Sequence, residues 1–486
     1  MTDLALRPAV ALVAALKKGE VGARELLDHY LARIERLNGA LNAVVTLDVE
    51  RARRAADAAD TARTRGLAAL GPLHGLPMTI KDTFETARLR TTAGATLLSG
   101  YVPGTDAAVV ERVRAAGAVI FGKTNTPTYA ADVQTYNPIF GITRNPWNRE
   151  RTCGGSSGGS AVAIAAGLAG AEIGSDIGGS IRAPAHCCGI YGHKPTHGIV
   201  PSRGHIPGPP GTLAEYDLGV MGPLARSADD LALLLDVVAG PDAADAVGWR
   251  LDLPPPRRGA LGDYRVAVWM DDPFCPVDAE VQSQGAAMVA ALREAGVAVD
   301  ERARPVDDLG VVHRLYEKLL WPILSGGMTP EEVAELARVS DATPPDDANL
   351  FDRFTRAVTL PARDWIAVDE ERQRIRRGWA DFFTRFDVLI CPIWPVPAIA
   401  HDHGDTLLSR TIRVNGRERS YIELLVWAGL VTMALLPATQ APIGRTPAGL
   451  PVGFQIVGPY LEDRTTIDFA RRLADVIGGY VPPPGV

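Results

Sequence analysis

Two glycine–serine runs hold the residues most able to do covalent chemistry: Gly154-Gly155-Ser156-Ser157-Gly158-Gly159-Ser160, and Ser175-Asp176-Ile177-Gly178-Gly179-Ser180-Ile181-Arg182. Acyl transfer needs a nucleophile on a sharp turn, a base, and backbone N–H groups aimed at the developing oxyanion. Glycine lets the backbone approach a substrate unobstructed. A serine that follows two glycines and opens a helix meets the first and third needs together, helped by the partial positive charge of the helix N-terminus. The plain alternative is a flexible linker, which conflicts with the apolar segments flanking both runs.

A base is offered by lysine. Only Lys17, Lys18, Lys81, Lys123, Lys194 and Lys318 stand among 50 basic residues, so arginine does the ordinary surface work. Lys81 closes the apolar run Pro77 to Ile80. Lysine normally titrates near about 10.4, which makes it a poor base, but burial disfavours the charged form. A neutral Lys81 is able to take a proton from a serine. The competing reading pairs Lys81 with Asp82 or Asp176 and leaves Ser156 as a helix cap.

Other motif matches are weaker. Gly155 to Gly159 fits a Gly-x-Ser-x-Gly elbow with Ser157 as nucleophile, yet Arg149-Glu150-Arg151-Thr152 makes a poor preceding strand. Gly117 to Thr124 fits a phosphate-binding loop, but Ala118 to Phe121 reads as a strand where that loop needs open N–H groups. His193 and His197 lie near Cys187 and Cys188, and adjacent cysteines lack the usual zinc-chelate spacing. His401-Asp402-His403 reads as a polar loop.

The elements that must position these residues follow from periodicity. Helices are predicted over Glu25 to Leu37, ended by Asn38-Gly39, and over Val49 to Arg65, Asp106 to Ala116, Ser160 to Ala169, Ser227 to Ala239, Ala279 to Ala295, Arg363 to Phe386 and Thr465 to Ile477. Strands are predicted at Pro77 to Ile80, Ala118 to Phe121, Tyr264 to Met270, Asp387 to Cys391 and Val452 to Val457, with Gly174 to Ser180 as a tight loop. Their alternation predicts an α/β fold with a large mixed, mostly parallel twisted sheet covered by helices on both faces.

With 47% hydrophobic residues in 486, the chain has ample core. The net charge of −7, without blocks of like charge, argues against nucleic-acid or anionic-membrane partners. No apolar run reaches the roughly 20 residues that span a bilayer. The first twenty residues lack the basic-then-apolar order of a signal peptide. Five scattered cysteines suit free thiols in a reducing compartment, so a cytoplasmic location is expected.

On these loops the chain resembles the amidase signature family. The resemblance rests on Gly154 to Ser160, Asp176 to Arg182 and the stretch Cys188-Gly189-Ile190-Tyr191-Gly192-His193-Lys194-Pro195-Thr196. It extends to Gly75 to Asp82, Gly122 to Asn125, Asn145 to Trp147, Gly222 to Arg226 and Gly449 to Gln455, spanning nearly the whole chain. It implies a single domain, with a helical region over 1–66, a signature core over 67–240 and a divergent substrate region over 299–420. It further implies Ser180 as the acylated nucleophile, Ser156 as a bridging serine on a cis peptide bond, and Lys81 as base. Ile177, Gly178 and Gly179, with Ser180, would supply the oxyanion hole, and Ser157, Asp176 and Arg182 would support the loop. No cofactor or metal is implied. The expected partner is a small amide, with a homodimer left open. His186, Cys187 and His193 depart from the family's usual apolar residues, and local repacking is expected.

Two activities compete within this resemblance. One is an amidohydrolase for apolar or aryl substrates, also able to act on esters or carbamates. It is suggested by Leu319, Leu320, Trp321, Phe351, Phe354, Trp365 and the run Leu424-Leu425-Val426-Trp427, each of which also suits ordinary core. The other is the A component of a glutamine-dependent tRNA amidotransferase. The apolar run offers little to hold a zwitterionic amino acid. A third, separate reading is nucleotide binding through Gly117 to Thr124.

Overall fold

Apolar runs without alternation predict strands covered on both faces. Val388–Pro392 and Pro451–Val457 are such strands, buried at every position. The structure, a computed structural model, describes residues 3–66, 70–342, 349–404 and 406–486. Met1 and Thr2 of the N-terminal stretch, 67–69 at the expected start of the signature core, and 343–348 and 405 in the expected substrate region lie outside the described residues.

Eleven strands matter to the site. A three-stranded sheet contains β1 (Val44–Leu47), β2 (Pro77–Lys81) and β3 (Val119–Thr124), in the order β1-β3-β2. An eight-stranded sheet contains β4 (Glu172–Asp176), β5 (Tyr191–Lys194), β6 (Val220–Ala225), β7 (Arg265–Val268), β8 (Ala298–Asp300), β9 (Val388–Pro392), β10 (Ala438–Arg445) and β11 (Pro451–Val457). Its order is β8-β7-β9-β11-β10-β5-β6-β4. Helices pack against its strands, among them Arg182–Cys188 on β11 and Asp463–Ile477 on β10.

The expected α/β architecture with a large mixed sheet is present, but its strands are not mostly parallel. Only β8–β7 and β7–β9 run parallel among the described neighbours, and the other five pairings are antiparallel. The short connection 446–450 forces β10 and β11 to run antiparallel, since a parallel pair needs a long crossover. Helix–strand alternation along the chain does not carry that information.

Two local expectations also change. The helix that begins at Ala23 continues through Gly39 to Leu41 and ends on left-handed Asn42. Asn38 does not break it; its side chain accepts the N–H groups of Ala43 and Val44 from the last turn. Residues Gly174 to Asp176, read as loop, extend β4 and pair with Val220 to Gly222. Gly174 is small because Ser157 Oγ lies 2.7 Å from where a Cβ would stand, not because the chain turns there. By contrast, the helix predicted from Ser227 is present over Ala228–Val238 and is capped by Ser227, whose hydroxyl accepts the Asp230 N–H at 3.1 Å.

The small-residue helix Gly158–Ala165 is buried throughout. A Cβ at Gly159 would stand 2.3 Å from the Asn125 backbone nitrogen, so glycine here lets the helix start against β3's continuation. No helix among the described residues is long and apolar enough to cross a membrane.

Candidate active site

Strands β2 and β4 end side by side, and their last residues are Lys81 and Asp176. Thr79 on β2 donates a hydrogen bond to Glu172 on β4. Lys81 is fully buried, and its amine donates to Ser156 Oγ at 2.6 Å and to Ser175 Oγ at 2.9 Å. The ion pairs offered as alternatives are absent among the described residues. Asp82 accepts from Thr92 and faces Lys123 at 3.9 Å, while Asp176 pairs with Arg182. Burial pulls the Lys81 ammonium down to about 7, against the opposing charges of Asp176 and Glu172. Burial also pushes the Glu172 carboxyl up to about 7. The Lys81 amine is therefore part-neutral at ordinary pH.

Ser156 follows Gly155 through a cis peptide bond. The next residue, Ser157, donates its N–H to the Ser180 carbonyl at 3.1 Å, which brings the two glycine–serine loops together. The Ser157 hydroxyl lies on the Ser175 backbone at 3.3 and 3.4 Å, a supporting position unlike that of an elbow nucleophile. No hydrogen bond joins the Ser156 and Ser180 hydroxyls among the described residues. Ser180 instead lines a cleft.

Asp176 and Arg182 both bond within the second loop. The carboxylate accepts the N–H groups of Gly179 (2.8 Å) and Ile181 (3.1 Å), and it pairs with the Arg182 guanidinium. Burial pushes Asp176 up, but Arg182 overrides it and holds the group at about 2. Arg182 reaches on to Gln455 at 2.7 Å and Thr432 at 2.8 Å, tying the loop to the C-terminal motif. Of the N–H groups expected to serve an oxyanion, that of Gly179 donates to Asp176 at 2.8 Å.

Two contributors escaped the sequence. Ser175, inside the quoted motif, receives the second Lys81 hydrogen bond; its place next to Asp176 was the available signal. Tyr316, on the helix Leu309–Leu324, donates to the Ile177 carbonyl at 2.7 Å and packs against Gly429. Nothing in a single aromatic on an amphipathic helix marks that role.

The cleft wall is only partly the one expected. Leu320, Trp321 and Leu425 line it, joined by the unforeseen loop 130–133 and by Leu324, Leu407, Tyr421 and Ile422. Leu319, Leu424, Val426 and Trp427 are core. Phe354 packs edge-on against Trp321, and Phe351 is exposed. Trp365 packs on the core surface and under the Arg372 guanidinium.

The remaining candidates fall into place as interior or loop residues. Gly117 to Thr124 contains β3, and Lys123 donates to the Phe84 carbonyl. The family departures become interior hydrogen bonds: His193 bonds Thr439 and Asp463, and His186 bonds Gly453 and Val396. His197 bonds the Tyr216 carbonyl, and all five cysteines are buried and free. His401 reaches the Arg149 carbonyl, and His403 lies 4.0 Å from the Tyr136 ring.

Comparison with known proteins identifies the family. The family profile described as Amidase matches residues 25–467. The glutamyl-tRNA(Gln) amidotransferase A component of Roseiflexus sp. (strain RS-1) is 34% identical, over 95% of each chain. Among solved structures, 6-aminohexanoate cyclic dimer hydrolase is 28% identical with a TM-score of 0.78, covering 100% of this chain and 99% of that one. The corresponding glutamyl-tRNA(Gln) amidotransferase component of Thermotoga maritima is 25% identical with a TM-score of 0.75, over 99% of each chain. With the profile covering most of its length, the chain belongs to the amidase signature family of enzymes.

Proposed function

We propose that this chain is an amidohydrolase that cleaves carboxylic amides of apolar or aryl compounds through an acyl-enzyme on Ser180. The observation that carries the reading is a buried Lys81 amine, bonded to Ser156 at 2.6 Å and to no carboxylate among the described residues, beside a largely apolar cleft lined by Ser180. Neutral Lys81 takes the Ser156 proton while Ser156 takes that of Ser180, whose oxygen attacks the carbonyl. The N–H groups of Ile177, Gly178 and Ser180 are the donors open to the oxyanion. Reversal of the relay protonates the leaving nitrogen, and water repeats the cycle on the acyl-enzyme. Esters and carbamates present a similar electrophile, so they belong in the substrate panel. The test is Ser180→Ala assayed on aryl amides and carbamates, with fluorophosphonate labelling and peptide mapping of the parent enzyme. Undiminished turnover by the variant, or a label elsewhere, defeats the proposal.

A second reading has its own support: curated relatives 31% to 34% identical over nearly full length are named as amidotransferase A components, and by name they favour it over the hydrolase. In that case the same triad releases ammonia from glutamine for a partner protein. The apolar wall of Leu320, Trp321, Leu324 and Ile422 favours the first. Glutamine hydrolysis without anilide turnover, together with co-purifying partner chains, transfers the conclusion to the second.

A further inference from the structure

The cleft that serves Ser180 is bordered by one ionisable acid among the described residues, Asp132 on the 130–133 loop. Its carboxylate is saturated. Oδ1 accepts the Tyr421 hydroxyl at 2.7 Å and the Gln134 N–H at 3.2 Å, and Oδ2 accepts Arg410 at 2.6 Å and the Tyr136 hydroxyl at 3.0 Å. The Arg410 guanidinium lies 5.8 Å from the Tyr136 ring centroid and 5.4 Å from that of Tyr421, and it donates to the Gly404 carbonyl. Both charged side chains are buried, at 8% and 5% exposure.

A buried ion pair is seldom more stabilising than well-packed apolar residues, so its presence at a largely apolar wall, which Asp132 lines and Arg410 meets through Asp132 and Tyr421, calls for a reason. One effect is mechanical: the pair joins segments 278 residues apart. Gln134 reinforces the join by bonding the Asp402 backbone at 2.6 and 3.2 Å. The other effect is electrostatic. A lone carboxylate there would attract cations, and a lone guanidinium anions. Paired, Asp132 lines the cleft with its charge balanced by the buried Arg410.

We infer that the Asp132–Arg410 pair is the specificity determinant that confines this cleft to uncharged acyl groups. The inference rests on Ser180 being the nucleophile beside that cleft. Each half of the pair masks the other, so removing one half unmasks a preference of opposite sign. Specificity of this kind works by rejection as much as by attraction.

The test uses three matched p-nitroanilides: hexanoyl, 6-aminohexanoyl and 5-carboxypentanoyl. For the parent enzyme, kcat/KM for the hexanoyl compound is expected to exceed both others by about a hundredfold. Arg410→Met raises the amino-to-neutral ratio by about tenfold, and Asp132→Asn raises the carboxy-to-neutral ratio by about as much. Thermal unfolding reports which variants are folded. Equal turnover of a charged and the neutral compound by the parent enzyme overturns the inference, as do folded variants whose ratios stay within about twofold of the parent. If a variant does not fold, the parent's ratios decide. A parent enzyme labelled at Ser180 by fluorophosphonate but idle on all three compounds also overturns it. Failure of Ser180 to label strikes the nucleophile reading instead.

Discussion

Acidification is the most direct perturbation of the proposed relay. Lys81 has to be neutral to take the Ser156 proton, and burial brings it to about 7 from an ordinary 10.5. At pH 7 an ordinary lysine is neutral in only about one molecule in 3,000, against about half for this one. The expected kcat/KM is level above pH 8, falls about tenfold by pH 6, and falls about a further tenfold by pH 5. The assay is initial-rate hydrolysis of an aryl amide from pH 5 to 9, with circular dichroism at each pH to exclude unfolding. Glu172→Gln gives an independent arm. It removes a carboxyl that favours the charged amine only where it is ionised, and burial holds it at about 7, so the expected gain in activity is confined to pH near 7 and above. A flat profile to pH 5 in folded enzyme, or a Lys81→Met variant with more than a few per cent of parental activity, would refute the reasoning.

Further outcomes follow from the same contacts. The unfolded chain protonates Lys81 between pH 7 and 10.5 while the folded chain does not, so parental stability from this group rises with pH across that window. Urea melts of Lys81→Met against the parent are therefore expected to shift in favour of the variant as pH is lowered from 10 to 7, and a constant difference sinks the point. Asp176→Asn leaves the Arg182 guanidinium buried without its carboxylate, which costs about 3–5 kcal/mol in denaturant unfolding, and loosens the Ser180 loop. Tyr316→Phe deletes the bond to the Ile177 carbonyl; about 1 kcal/mol of stability is expected to go, and kcat to fall more than KM rises. Gly159→Ala drives a Cβ into the Asn125 backbone, and calorimetry is expected to show a loss of about 1–3 kcal/mol or more.

Within the amino-acid sequence itself, the chemistry was legible wherever a short stretch of chain sets its own backbone. Gly154 to Ser160 and Asp176 to Arg182 signal tight loops because side-chain-free positions are needed there, and Lys81 at the end of an apolar strand declares its own burial. The departures at His186 and His193 were equally visible, though not the partners they would find. Tertiary structure alone tied Arg182 to Gln455 and Thr432, across 273 and 250 residues. It alone brought Tyr316 to Ile177 across 139 residues and Tyr421 to Asp132 across 289. It also set most of the large sheet antiparallel, and it left Trp427 in the core while Leu425 reached the cleft. Backbone geometry is encoded within a few neighbouring residues. Which side chains meet depends on how distant segments pack, and no local pattern records that.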